Sequence, residues 1–322
     1  MIKKYSIVAL LVVLGIVLGL YFLVDFTGNE DQPLRSKILS IDPASITSLK
    51  VNDNQTGDHV EIINEGAKCR LLSNGREYSG ASEAVGNALV MLNQLPTESV
   101  VTTKNSEWDE YKVDEEQAIH IQLFAGSEKA EELFVGKFEF EQIPAAEPGR
   151  QPQTRMTTYV RIVGDDNVYA VNGLLRSNFQ GGIIPFRNRT VFFCEQPKKD
   201  ITSLRIQGAD KLVNLDLSGD ECLVNGLPAD SAKMDKYLRS LSRLRSSTFV
   251  DDVDVSVMTP AYTINIEGNS FDPVTINAYP ADETQQYYIT SSMNPGSVMD
   301  GTKGKIFEKV FVGIDAFIPN QE

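Results

Sequence analysis

The chain is poor in the residues that carry most metal and thiol chemistry. Among 322 residues there are three cysteines and two histidines. Cys69, Cys194 and Cys222 form no Cys-x-x-Cys pair, and His59 and His120 form no His-x-His or His-x-x-x-His spacing. Neither a structural zinc site nor a redox motif is therefore spelled out, and no cofactor is expected. Equally missing are a Gly-x-Ser-x-Gly elbow, a dinucleotide glycine fingerprint and a Walker loop, which removes the common signatures of hydrolases and nucleotide enzymes. Positive charge is scarce too: 30 Lys and Arg stand against 44 Asp and Glu, a net charge of −14. A nucleic-acid partner requires basic patches for its phosphates, and an anionic lipid surface repels such a chain. The single tryptophan, Trp108, lies in a polar stretch, Asn105–Lys112. Tyr287 and Tyr288 are neighbours that a strand would point to opposite faces, so they form no flat stacking platform.

What is abundant is apolar sequence of the right length. Ser6–Val24 contains 19 residues without a charge. As a helix the run is about 28 Å long, enough to cross a hydrocarbon core of about 30 Å. It exceeds the apolar run of a cleaved signal peptide, and its exit, Gly19-Leu20-Tyr21-Phe22-Leu23-Val24, lacks a small-x-small cut site. An uncleaved anchor over residues 1–25 is expected, followed by a linker at 26–38. Lys3 and Lys4 precede the run directly, which favours the amino terminus inside and the bulk of the chain outside the cytoplasm. The localisation expected is a single-pass protein of the inner membrane.

The remainder reads as a duplication. Ile46-Thr47-Ser48-Leu49-Lys50-Val51 matches Ile201-Thr202-Ser203-Leu204-Arg205-Ile206, and Val60–Cys69 aligns without a gap on Val213–Cys222. Alternation of apolar and polar residues predicts strands in both segments. Asn74-Gly75 and Asn225-Gly226 predict tight turns. A helix follows in each copy, with apolar Val85, Leu89, Leu92 and Leu95 in one and Met234, Leu238, Leu241 and Leu244 in the other. The identical spacing makes one stripe on each helix, and Ser82 and Asp230 are the expected N-caps. Ala118–Phe124 then parallels Ala261–Ile266, and Thr158–Val163 parallels Gln286–Thr290. Each half reads β-β-β-α-β-β-β. The fold class expected is α+β: an N-terminal transmembrane helix, then two tandem modules, 39–195 and 196–322, each a mainly antiparallel sheet with one covering helix. Ile143–Thr154 is read as a Pro- and Gly-rich loop in the first module.

The anchor, the first strand, the striped helix and a set of short motifs together resemble a bacterial family catalogued as domain of unknown function 4340. The motifs are Glu110-Tyr111-Lys112-Val113-Asp114, Glu132-Leu133-Phe134-Val135-Gly136, Tyr159-Val160-Arg161, Val168-Tyr169-Ala170-Val171 and Phe186-Arg187-Asn188-Arg189. The likeness covers most of residues 1–195 and recurs more weakly afterwards. Cys69-Arg70-Leu71 stands where the family pattern has a tryptophan, and the second half offers no equivalent of Phe186–Arg189. The resemblance implies an anchored extracytoplasmic module, often encoded beside ABC-transporter subunits related to gliding-motility auxiliary components. It implies no catalytic residues.

Candidate sites follow, each with a plainer reading. His59 and His120 are single strand histidines. Asp251-Asp252-Val253-Asp254 suggests calcium but alternates like a half-exposed strand or loop. Gly181-Gly182 reads as a hinge or turn. Lys236, Arg239 and Arg243 on or beside the second helix, Arg187 and Arg189 in the Phe-Arg-Asn-Arg motif, and Trp108 are the candidate partner-binding residues. The function expected is a non-enzymatic accessory protein of an envelope ABC-type transport system, docking on transporter subunits or another envelope protein. The alternatives are an envelope glycan- or peptide-binding module and a hydrolase with an unrecognised site.

Overall fold

A computed structural model describes residues 37–66, 68–143, 152–208, 211–219, 221–281 and 286–319. The expected anchor lies outside the described residues, and among those described no helix is long and apolar enough to cross a membrane.

Alternating burial builds the first strands: in β1 (Ser48–Asp53) every second residue points into the core. β1 pairs with β2 (Asp58–Asn64), which leads to β3 (Cys69–Ser73) and β4 (Arg76–Ser79). Helix α1 (Ser82–Gln94) follows, then β5 (Thr97–Thr102), β6 (Ile119–Ala125), β7 (Glu128–Ile143), β8 (Gln153–Ile162) and β9 (Val168–Asn172). The nine strands form one antiparallel sheet in the order β4-β3-β2-β1-β6-β7-β8-β9-β5.

After β10 (Thr190–Phe193) and a one-turn helix, α2 (Pro197–Asp200), the same plan recurs. It runs β11 (Ile201–Gly208), β12 (Lys211–Asp216), β13 (Leu223–Val224), β14 (Leu227–Pro228), helix α3 (Ser231–Leu241), β15 (Arg243–Arg245), β16 (Tyr262–Gly268), β17 (Val274–Pro280), β18 (Tyr287–Ser291) and β19 (Met299–Asp300). The second sheet has the order β14-β13-β12-β11-β16-β17-β18-β19. Strand for strand this is the first sheet without its last member. The counterpart of β5 is β15, which pairs with β10 in a separate two-stranded ribbon.

Both Asn-Gly pairs are two-residue hairpin turns with positive φ at both positions, 51° and 73° in the first module and 49° and 81° in the second. Asparagine and glycine tolerate that backbone at little cost. These turns add a strand that the sequence pattern misses: four strands, not three, precede each helix. The expected N-cap Asp230 accepts from the amides of Ala232 and Lys233. In the first module the cap position is Ala81, and Ser82 is the first helical residue.

Two main cores result, with a small third cluster around Val113, Ala118, Phe134 and Val168. One is built on Leu49, Ile62, Leu71, Leu89 and Leu92, the other on Leu204, Ile266, Leu238 and Leu241. Each fully buried leucine contributes about 1.5–3 kcal/mol. The apolar stripes of α1 and α3 face these cores, and Leu95 and Leu244 are buried with them. Beyond β19 the chain adds helix α4 (Ile306–Val310), whose Phe307 stacks on Tyr287 at 4.0 Å.

The ends of the two modules are equivalent in a way that side chains conceal. The amide of Ala81 donates to the carbonyl of Phe186, and the amide of Asp230 donates to that of Phe317, both at 2.7 Å. Phe317 is thus the partner of Phe186, so the second half does have a counterpart to the start of the Phe-Arg-Asn-Arg motif. Ile318 stands where the first module has Arg187.

Candidate functional site

The chain passes from the first core to the second through Phe186–Thr190, and this segment forms the seam between the modules. Arg187, only 2% exposed, reaches across it. Its two terminal nitrogens donate to the two carboxylate oxygens of Asp251 at 2.6 and 2.7 Å. The guanidinium also lies 3.7 Å from the ring of Phe249 and 4.6 Å from that of Tyr78. A planar fork between two aromatic faces, paired with one carboxylate, is a role for arginine that lysine cannot fill. The next residue continues the seam. The side-chain amide of Asn188 donates to Ser79 and to the Met293 carbonyl, and the Asn188 backbone carbonyl accepts from the side chain of the buried Asn294. Arg76 donates to the backbone carbonyl of Asp251.

Beside this seam opens a cleft of about 810 Å³ whose walls come from both modules: Asp58, His59, Asn74 and Arg76 on one side, Thr248 and Asp252 on the other, with the Gly181-Gly182 turn at its edge. Its floor includes the Arg187–Asp251 pair. His59 and Ser73 both line it, but not as a relay. The Ser73 hydroxyl donates to the carbonyl of His59, while His59 Nε2 faces the amide of Asn74 at 3.4 Å. Members of the acidic run are already engaged: Asp251 holds Arg187, and Asp254 accepts from the amide of Ser256. The Ser256 hydroxyl first, then its amide, keeps the Asp254 carboxyl below the ordinary range. Residues 251–254 are a loop rather than a strand. No cluster of His, Cys, Asp and Glu suited to a metal ion occurs among the described residues.

A family model described as Domain of unknown function (DUF4340) matches residues 71–262. The chain belongs to this family. No curated protein and no solved structure matches it. The DUF4340 match begins in β3 and ends at the first residue of β16, so it does not coincide with the first module, as the sequence motifs suggest. It spans the seam and takes in Arg76, Tyr78, Arg187 and Asp251 together.

The other family-like motifs converge on the outer face of the first sheet. The Tyr111 carbonyl accepts from the amide of Lys137, and the Val113 carbonyl from Arg161 Nε. Arg161, buried, is sandwiched between Trp108 at 3.7 Å and Phe134 at 4.4 Å. The Trp108 indole nitrogen donates to the Asp166 carbonyl. Trp108 is therefore half-buried and anchors its loop. Arg189 is exposed, with one nitrogen on the Ile184 carbonyl. Lys236, Arg239 and Arg243 are exposed on the second module, and none of them lines the cleft. The candidate partner residues thus fall in three places: Arg187 and Arg189 belong to the seam segment, but only Arg187 is buried there and lines the cleft.

Missed by sequence reasoning is Arg176. Also buried, it donates to the carbonyls of Val135 and Gly136 and faces Asp53 at 3.5 Å. Nothing in its surroundings, Leu175-Arg176-Ser177, distinguishes it from a surface arginine.

All three cysteines are free thiols. Burial and the nearby charge of Glu65 push the Cys69 thiol up to about 11, and burial raises Cys194 as well. Thiolate is the reactive form, so with Ellman's reagent at pH 8 only the half-buried Cys222 reacts promptly in the native protein. All three react after denaturation. Prompt reaction of Cys69, assigned by mass spectrometry, would contradict its place beneath Gly80.

Proposed function

We propose that the chain is a non-enzymatic, membrane-anchored accessory protein of an envelope ABC-type transport system, acting by docking on transporter subunits outside the cytoplasm. The observation that carries this reading is the Arg187–Asp251 clamp, which couples two copies of one module into a single body. Association costs about 0.5–1.5 kcal/mol for every flexible side chain it orders, so a preassembled two-module surface suits a docking subunit. The uncharged run Ser6–Val24 supports tethering, which confines both modules at the membrane and raises their effective concentration there. In the cleft the Ser73 hydroxyl donates to the backbone carbonyl of His59 and the His59 ring faces the amide of Asn74, so hydroxyl and imidazole are each engaged with backbone.

The same cleft favours a second reading, a binding module for envelope glycan or peptide. Asn74, Arg76 and Asp252 offer donors and acceptors beside Tyr78, the mixture that orients a polar ligand in a concave site. Mild crosslinking of native membranes, detergent extraction and mass spectrometry of the tagged protein separates the two. Recovery of an ABC permease or auxiliary subunit in near-equal amount is the result expected. Recovery of the protein alone would sink the docking proposal and direct screening to envelope glycans and peptides.

A further inference from the structure

The two modules differ most in one hairpin. β7 pairs with β8 as far as Ile143 and Gln153, whereas β17 and β18 end their pairing at Pro280 and Tyr287. The residue equivalent to Val135 is Ala278, since each faces the same position of the preceding strand. The first module thus continues eight residues past that point and the second only two. A register shift between Val135 and Phe138 marks the start of the extension, where a bulge bends a strand.

The extension is two-faced. Phe138 opposes Thr158 and Phe140 opposes Met156, and the two phenylalanine rings pack edge to face at 5.3 Å. Their side is the continuation of the face that carries Val160 and Ile162 into the core. Phe138 is nevertheless 39% exposed and Phe140 59%. The other side carries Lys137, Glu139, Glu141 and Arg155, joined in pairs as Lys137–Glu139 and Arg155–Glu141. The arm is thus neutral in a chain of net charge −14.

Its position relative to the amino terminus identifies the occupant. Lys37, the first described residue, bridges Pro96, and Thr97 lies opposite Val171, Val171 opposite Thr158, and Thr158 opposite Phe138. These are four lateral steps, the bridge from Lys37 to Pro96 included, roughly 19 Å in all. The chain therefore enters the first module at the end of the sheet from which the arm projects. The arm extends about 17 Å beyond Phe138, and the twelve residues from Asp25 to Ser36 span at most about 40 Å, so the tether holds the arm within reach of whatever holds the tether.

We propose that the β7–β8 arm is a second membrane contact, with Phe138, Phe140 and Met156 seated in the interface of the bilayer that Ser6–Val24 crosses. The proposal rests on the anchor reading. Aromatic and aliphatic side chains on one face of an amphipathic element enter the boundary between headgroups and acyl chains. A neutral arm avoids the repulsion that the acidic body meets at a charged surface. The contact would fix the tilt of both modules above the membrane.

The test uses the full chain in phosphatidylcholine vesicles, with Phe140→Trp compared with Leu227→Trp, an exposed position of the second module, and Trp108 as common background. The lipid is brominated high on its acyl chains. Phe140→Trp emission is expected to be quenched roughly twofold more than that of Leu227→Trp, as for a ring about 5–10 Å into the boundary. If the protein stays with floated vesicles after an alkaline wash but the arm tryptophan is unquenched and open to iodide, the arm proposal falls and the anchor stands. Shielding from iodide without lipid quenching would mean that a second copy covers the arm, which also overturns it. Loss from the vesicles in the wash removes the anchor and the arm contact together.

Discussion

Arg187→Ala lowers stability by about 2–4 kcal/mol, the range for breaking a buried ion pair, discounted because Asp251 can regain water. Asp251 is 38% exposed in the intact pair and Arg187 2%. At about 2 °C per kcal/mol for a chain of this size, thermal unfolding should move down by roughly 4–8 °C. Arg187→Lys should recover little of the loss, because an ammonium neither bridges both carboxylate oxygens nor lies flat between Tyr78 and Phe249. The double variant Arg187→Ala/Asp251→Ala should be no worse than Arg187→Ala alone, since partners in one pair are not additive. Additive losses in that cycle, or a melting point unchanged in Arg187→Ala, would remove the clamp as the element that joins the modules.

The second large effect is at Gly136. A Cβ there would stand 2.2 Å from the Tyr111 carbonyl oxygen and 2.7 Å from Val113 Cγ1. Glycine-to-alanine changes at compatible sites usually gain about 0.4–1 kcal/mol by restricting the unfolded chain. Overpacking costs about 1–3 kcal/mol, and at these distances it wins. Gly136→Ala should therefore destabilise and push the Trp108 loop off the sheet, because Tyr111 and Trp108 belong to the same segment. The sole tryptophan reports this directly as a red shift of native emission. Gly86→Ala is the control: Gly86 lies on the exposed side of α1 with nothing within 4 Å, so its substitution should stabilise by up to about 1 kcal/mol. Equal outcomes at the two positions would contradict the close approach at Gly136.

The duplication was legible because it rests on patterns that survive divergence. Alternation around Ile46–Val51 and Ile201–Ile206, the two Asn-Gly pairs and the matched helix stripes each follow from local chemistry. What escaped has no periodicity to detect. β14 and β19 contain two residues each, too few to alternate. The equivalence of Phe186 and Phe317 lies in backbone carbonyls, and the side chains that follow them, arginine and isoleucine, give no hint of it. The cleft was illegible for a related reason. Arg187 and Asp251 are 64 residues apart, and sequence alone offers no way to pair one of 30 basic residues with one of 44 acidic ones. The loop expected over Ile143–Thr154 is cut short at both ends, since Ile143 closes β7 and Gln153 opens β8, while residues 144–151 lie outside the described residues. The register shift beside Gly136 interrupts the alternation that would carry the strand pattern to Ile143.

The bond from Ala81 to Phe186 also sets a schedule for biosynthesis. The start of α1 is made early, but the carbonyl that secures it arrives only after the whole remainder of the first module has been translated. At about 5–20 residues per second that interval is roughly 5–20 s. During it β4, whose free edge lies beside the Gly80–Arg187 bridge in the finished protein, presents unpaired backbone to its surroundings, as any uncovered sheet edge does. In a nascent chain of this design that edge stays open to pairing with other chains for seconds, and it is covered only once Arg187 has been made.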